Sequence, residues 1–141
     1  MEGIKLLVDY GIIGVLVLMS TAAVAIAIER FSFIKRTRPE EYNTAKELEI
    51  SLTRRFYIIA SIGSNAPYIG LLGTVLGIIF TFYQMGEVGN IDTRSIMVGL
   101  SLALKATAAG LLVAIPCVSL YNALLRRVKE KLAAYESVKC R

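Results

Sequence analysis

Three long stretches of this chain carry almost no charge, and that restricts it to a helical fold within a membrane. Tyr10 to Ile28 is nineteen residues without a charged side chain, bounded by Asp9 and Glu29. At about 1.5 Å per residue it reaches roughly 28 Å, close to the thickness of the bilayer hydrocarbon. Phe56 to Gly86 is thirty-one residues without a charge. Ser95 to Leu125 is a third apolar stretch, interrupted only by Lys105. Lipid offers the backbone no hydrogen-bond partner, so each stretch must satisfy its own amides as a helix. The expectation is an all-α membrane protein with three transmembrane helices near 10–28, 60–86 and 95–125, forming one integral membrane domain over 1–141.

Ala23-Val24-Ala25 resembles a signal-peptide cleavage site. The preceding Glu2, Lys5 and Asp9 lack a positive bias, however, and Ile26-Ala27-Ile28 continues the apolar run. The first span therefore reads as an uncleaved helix. Pro67 either falls near the start of the embedded part or kinks a helix that begins earlier. Pro116 lies inside the third span, where membrane helices tolerate proline.

Basic residues set the orientation. Seven lie between the first two spans (Arg30, Lys35, Arg36, Arg38, Lys46, Arg54 and Arg55) and six follow the third (Arg126, Arg127, Lys129, Lys131, Lys139 and Arg141). The 87–94 loop and the N-terminal residues hold one each. The positive-inside rule then places 29–55 and the tail 126–141 in the cytoplasm, with the N-terminus and the 87–94 loop on the outer side. It also explains the net charge of +5 without nucleic acid. Pro39 with Glu40 and Glu41 suggests a helix entry. Tyr42, Ala45, Leu48 and Leu52 recur at helical spacing, predicting a cytoplasmic helix from about Glu40 that continues toward the second span. Val128, Leu132 and Tyr135 share a face of the tail, which reads as an extension of the third helix. These extensions are either solvated helices with a weak packing face or a docking surface.

The chain has no His, and neither a phosphate-binding loop nor a dinucleotide fingerprint is present. That removes the commonest metal ligand and general base, so no enzyme, metal or cofactor is expected. Cys117 reads as a small buried hydrophobe and Cys140 as a free tail thiol.

The second span places Gly70, Thr74 and Gly77 on one helix face, with Gly73 and Gly77 forming a GxxxG on a neighbouring line. The third places Ala103, Thr107, Gly110 and Ala114 on one face. Stripes of small residues let membrane helices approach closely. Each threonine either bonds back to its own helix or lines a polar path. None of the three spans contains Asp or Glu, so the chain has no obvious proton relay of its own. Lys105 is turned about 200° from Thr107 at 100° per residue. It has three readings: snorkelling to the interface, pairing with a carboxylate elsewhere, or facing a wet cavity.

These residues carry a resemblance. Ala66-Pro67-Tyr68-Ile69-Gly70-Leu71-Leu72-Gly73-Thr74-Val75-Leu76-Gly77 resembles the AP-x-x-GLLGTV-x-G segment of the ExbB/TolQ proton-channel proteins, with MotA a more distant relative. Ala106-Thr107-Ala108-Ala109-Gly110-Leu111-Leu112-Val113-Ala114-Ile115-Pro116 resembles the ATA-x-GL-x-VAIP segment of the same family, and Tyr121-Asn122 the YN that follows it. The resemblance covers roughly 60–125 and is most like ExbB. It implies a homo-oligomeric ring, usually a pentamer, in a bacterial inner membrane. An ExbD- or TolR-like single-span partner would bring a membrane aspartate into the pore, and a TonB- or TolA-like protein would receive the motion. The resemblance also places Thr74 and Thr107 beside that aspartate. The small residues Gly70, Gly73, Gly77, Ala103, Gly110 and Ala114 become helix packing at the pore wall.

Two departures stand out. Many relatives carry a Glu where this chain has Leu102, and an apolar residue where it has Lys105. The leading expectation is a pore-forming subunit of a proton-driven motor energising outer-membrane transport. The alternatives are a non-conducting helical scaffold and a TolQ-like subunit serving envelope integrity.

Overall fold

The computed structural model describes residues 2–139; Cys140 lies outside them. Helix α1 spans Glu2–Arg36, followed by a 3-10 turn at Pro39–Glu41. Helix α2 is Ala45–Leu52, α3 is Phe56–Val88 and α4 is Thr93–Lys139. No strand occurs among the described residues. Helices α1, α3 and α4 are long and apolar enough to cross a membrane. The 47 residues of α4 extend about 70 Å at 1.5 Å per residue, more than twice the thickness of the hydrocarbon core.

Helices α3 and α4 form an antiparallel hairpin, and α1 lies against both. Gly89 ends α3 at φ 71°, a left-handed conformation that suits a residue without Cβ. Its N–H bonds the Met85 carbonyl at 3.0 Å. Asp92 then starts α4, accepting from the Arg94 N–H at 3.3 Å and the Ser95 hydroxyl at 3.1 Å. Pro67 and Pro116 both lie inside continuous helix, so α3 begins well before its proline.

The basic end departs from expectation. The helix predicted from about Glu40 toward the second span is instead a 3-10 turn, an extended link and the eight-residue α2. Thr44 restarts the helix by accepting from the Glu47 N–H at 3.1 Å, in a Thr-x-x-Glu capping sequence. Arg55 then breaks continuity with α3 by taking φ 68°. Its guanidinium donates to Glu29 at 2.6 Å, tying the break to α1.

This end packs like a soluble domain. Leu48 and Leu52 are buried against Ile34, Phe56, Leu124 and Val128. The tail face of Val128, Leu132 and Tyr135 joins the same cluster, so the extensions cover each other. Three α4 residues, one turn apart, fasten the link between α1 and α2. Lys131 donates to the Thr37 carbonyl at 3.0 Å and Tyr135 to the Tyr42 carbonyl at 3.1 Å. Lys139 donates to the Asn43 carbonyl. These carbonyls lie outside regular helix and need outside donors.

Arg30 is only 4% exposed. It donates to the Ser51 carbonyl at 3.2 Å and to Glu29 at 2.9 Å, and lies 4.5 Å from the centre of the Phe33 ring. Its hydrogen bond to Glu29, together with the Arg55 charge, holds the Glu29 carboxyl below the usual carboxylate range.

Tyr135→Phe keeps the buried ring and removes only the bond to Tyr42. It is expected to loosen the 37–43 link by about 1 kcal/mol. Trypsin cleavage after Arg36, at the start of the link, should then run about fivefold faster at unchanged helicity. Unchanged cleavage would mean that the two lysines hold the link by themselves.

Candidate functional site

The α3–α4 interface is built from residues with little or no side chain. A Cβ on Gly70 would fall 2.7 Å from the Ala106 carbonyl oxygen and 3.1 Å from the Gly110 Cα. A Cβ on Gly110 would fall 2.6 Å from the Ala66 carbonyl oxygen. Any side chain at either position would push backbone from backbone. Toward the loop end, Gly77 faces Ala103, whose Cβ lies 2.7 Å from the position a Gly77 Cβ would take, and Gly99 faces Thr81. Toward the basic end, Gly63 faces Cys117 and Val118, and Ala66 and Ala114 pack with Leu16 of α1. Gly73 is turned differently: it faces both Ala106 and Ile12 of α1, so it marks where three helices meet.

The two threonines meet in the middle of this seam. Thr74 lies twelve residues before Gly86 and Thr107 twelve after Ser95. Both are therefore about 18 Å along their helices from the loop end of the apolar stretches. The Thr74 hydroxyl is hydrogen-bonded to that of Thr107 and donates to the Ala103 carbonyl at 3.0 Å. Thr74 is 7% exposed, whereas Thr107 is half-buried at the edge of the seam.

A donor count shows what remains open. Each hydroxyl has one hydrogen to give and two lone pairs to offer. Thr74 gives its hydrogen to Ala103, and Thr107 then gives its own to Thr74. The longer approach of Thr107 to the Gly70 carbonyl, 3.5 Å, is a weaker alternative. In this arrangement the oxygen of Thr107 keeps acceptor capacity on the exposed side.

Lys105 is exposed on another face of α4 and forms no ion pair among the described residues. It is not brought to the hydroxyl pair. Leu102 is 41% exposed and lines a cleft at the loop end. No group of three or more metal-ligating side chains occurs among the described residues.

Sequence reasoning missed two members of the seam and one buried charge. Thr81 follows Thr74 by seven residues, is 5% exposed, and donates to the Gly77 carbonyl at 2.8 Å. Its partner Gly99 extends the Ala103 line by one turn. Arg30 continues a seven-residue line on α1 through Leu16 and Ala23, all buried. In each case the period was present in the sequence.

The fold and seam define a class: a three-span helical membrane protein whose second and third helices close around polar but uncharged side chains. Residues 13–137 match the MotA/TolQ/ExbB proton channel family, and the chain belongs to that family. A biopolymer transport protein ExbB of Aquifex aeolicus is 57% identical over 138 residues, 98% of this chain and 93% of its own. A putative biopolymer transport protein ExbB-like 2 of Helicobacter pylori is 54% identical, over 87% of this chain and 82% of its own. The Tol-Pal system protein TolQ of Haemophilus influenzae is 36% identical, over 73% of this chain and 50% of its own. The chain is thus most like ExbB. It is a bacterial inner-membrane transport component with a proton-channel role.

Gly110→Val should force the seam apart, costing about 1–3 kcal/mol and lowering the melting temperature in detergent. Gly86, with nothing within 4 Å of its Cβ position, is the control: Gly86→Ala should be neutral or stabilising by up to about 1 kcal/mol. Equal melting of Gly110→Val and the parent protein would show that close approach at Gly110 contributes nothing.

Proposed function

We propose that this chain is the pore-forming subunit of a motor driven by the proton gradient, which energises transport across the outer membrane. In this reading copies of the chain form a ring, a pentamer by family resemblance. An ExbD-like single-span partner supplies a membrane carboxyl group, and a TonB-like protein receives the motion. The N-terminus and the 87–94 loop face the periplasm, and the basic end faces the cytoplasm. The ExbB names of relatives aligned over most of their length favour this over a TolQ-like role.

The observation that carries the reading is the Thr74–Thr107 hydroxyl pair at mid-membrane depth, with Thr107 at the seam edge. A protonated partner carboxyl would donate to the open oxygen of Thr107. After losing its proton, the carboxylate would need a donor instead. Turning the Thr107 hydrogen from Thr74 toward the carboxylate supplies one, while Thr74 keeps its bond to Ala103. One hydroxyl rotation thus serves both charge states, and neither heavy atom moves. That keeps the cost of cycling a carboxyl in a low-dielectric site down. The small residues of the seam hold the two helices close enough for this pair to form.

The test is proton flux into liposomes holding this chain and an ExbD-like partner. Flux should require the partner and stop with its membrane Asp→Asn form. Thr107→Val should reduce flux about tenfold, the equivalent of about 1.4 kcal/mol, and Thr107→Ser should restore it. Full flux in Thr107→Val would remove this hydroxyl from the path. Absence of flux from a verified complex with wild-type partner would favour a non-conducting scaffold, in which the pair serves only to join α3 to α4.

A further inference from the structure

The loop end holds a cleft of about 570 Å³ between the start of α1 and the ends of α3 and α4. That volume lies within the range of small-molecule sites, about 300–1,000 Å³. Its wall has two zones. Met85, Val88, Val98 and Leu102 form an apolar zone, and Lys5, Gln84, Glu87, Asn90 and Arg94 form a polar one. Along α3 and α4 the lining runs from Thr81 and Leu102, inside the apolar stretches, to Glu87, Asn90 and Arg94, beyond their ends at Gly86 and Ser95. The cleft therefore straddles the depth at which lipid headgroups give way to acyl chains.

Its charges are arranged for a zwitterion. Lys5 and Arg94 make no ion pair among the described residues. Glu87 accepts one hydrogen bond, from the Tyr83 hydroxyl at 3.2 Å, and makes no ion pair among the described residues. Two cations with a carboxylate in the same wall fit a phosphate joined to a primary ammonium. A phosphate there would take charge-assisted bonds from Lys5 and Arg94, and the ammonium would donate to Glu87. The apolar zone below then receives the first part of an acyl chain.

We propose that this cleft binds a membrane lipid with a phosphoethanolamine headgroup, drawn from the leaflet at the loop end. The site lies at the loop end of the seam, where Thr81 and Gly99 also line it, about two helical turns from the hydroxyl pair, and does not depend on the conduction reading.

Native mass spectrometry of the delipidated full-length protein tests this, by titration with phosphatidylethanolamine, phosphatidylcholine and phosphatidylglycerol of matched chains. All three carry the phosphate, but only the first carries an ammonium that can donate hydrogen bonds. Phosphatidylethanolamine should be retained about tenfold more strongly than either of the others. Glu87→Gln should abolish that preference. The Lys5→Gln, Arg94→Gln double variant should lower retention of all three lipids, and Arg94→Lys should preserve it. Circular dichroism and oligomer mass report whether each variant is folded. Equal retention of the three lipids by the parent protein, or an unchanged preference in folded Glu87→Gln, would overturn the proposal. Displacement of the lipid by an equal concentration of free phosphoethanolamine would overturn it too, since the site would then take a soluble ligand.

Discussion

The backbone contact between Gly70 and Gly110 is the constraint on which the rest of the membrane part depends. Helices in lipid gain nothing from hiding apolar surface, because the lipid is equally apolar. What holds them together is close van der Waals contact, aided by Cα–H to carbonyl contacts that only near-touching backbones allow. A Cβ at Gly70 would lie 2.7 Å from the Ala106 oxygen, so even alanine would open the seam there. That contact fixes the register of two antiparallel helices. Once it is set, Gly77 must meet Ala103 and Gly99 must meet Thr81, and Thr74 finds the Ala103 carbonyl within reach. The polar centre of the protein is a consequence of its least polar residues.

A different packing rule takes over on the same helix. Beyond Leu124, α4 is surrounded by water-facing elements and packs through large side chains: Leu124, Val128 and Tyr135 against Leu48, Leu52 and Phe56. Here burial itself stabilises, as in soluble domains. In the link between α1 and α2 the carbonyls of Thr37, Tyr42 and Asn43 lie outside regular helix, and Lys131, Tyr135 and Lys139 supply their donors. Glu29 marks the change of rule. It takes Arg30 from its own helix and Arg55 from the break before α3, and Arg30 in turn reaches the Ser51 carbonyl of α2, so three segments are clamped where the membrane part begins.

This division explains what could be read from the sequence. The three crossings were legible because a single property, absence of charge over long runs, is sufficient for a helix in lipid. The seam was legible at Gly70, Thr74, Gly77, Ala103, Thr107, Gly110 and Ala114 because small residues at helical spacing have few uses in a membrane. Thr81 and Gly99 obey the same period and were overlooked only because they lie near the ends of their stripes. The basic end was less legible. A helix from Glu40 satisfied the apolar spacing, but the Thr44 cap and the left-handed Arg55 cut it to α2. The ammonium-to-carbonyl bonds of Lys131 and Lys139 had no sequence signature at all, since the acceptors are backbone atoms that every residue carries. Charge patterning sees partners that are charged, and these are not.

The hydroxyl pair also sets a limit on what one chain can do. Threonine neither gains nor loses a proton near neutral pH, so the Thr74–Thr107 pair can solvate a charge but cannot store one. Neither Asp, Glu nor His occurs in the three uncharged stretches to store it instead. Asp9 stands just outside the first and Lys105 is turned toward the surface of α4. A carrier of protons must alternate between two charge states, and neither threonine of the pair does so. In the proposed motor the alternation comes from a titratable group outside this chain. A neutral, close-packed seam suits such a visitor: it offers hydrogen bonds to either state, and no fixed opposite charge in the seam would trap the ionised one.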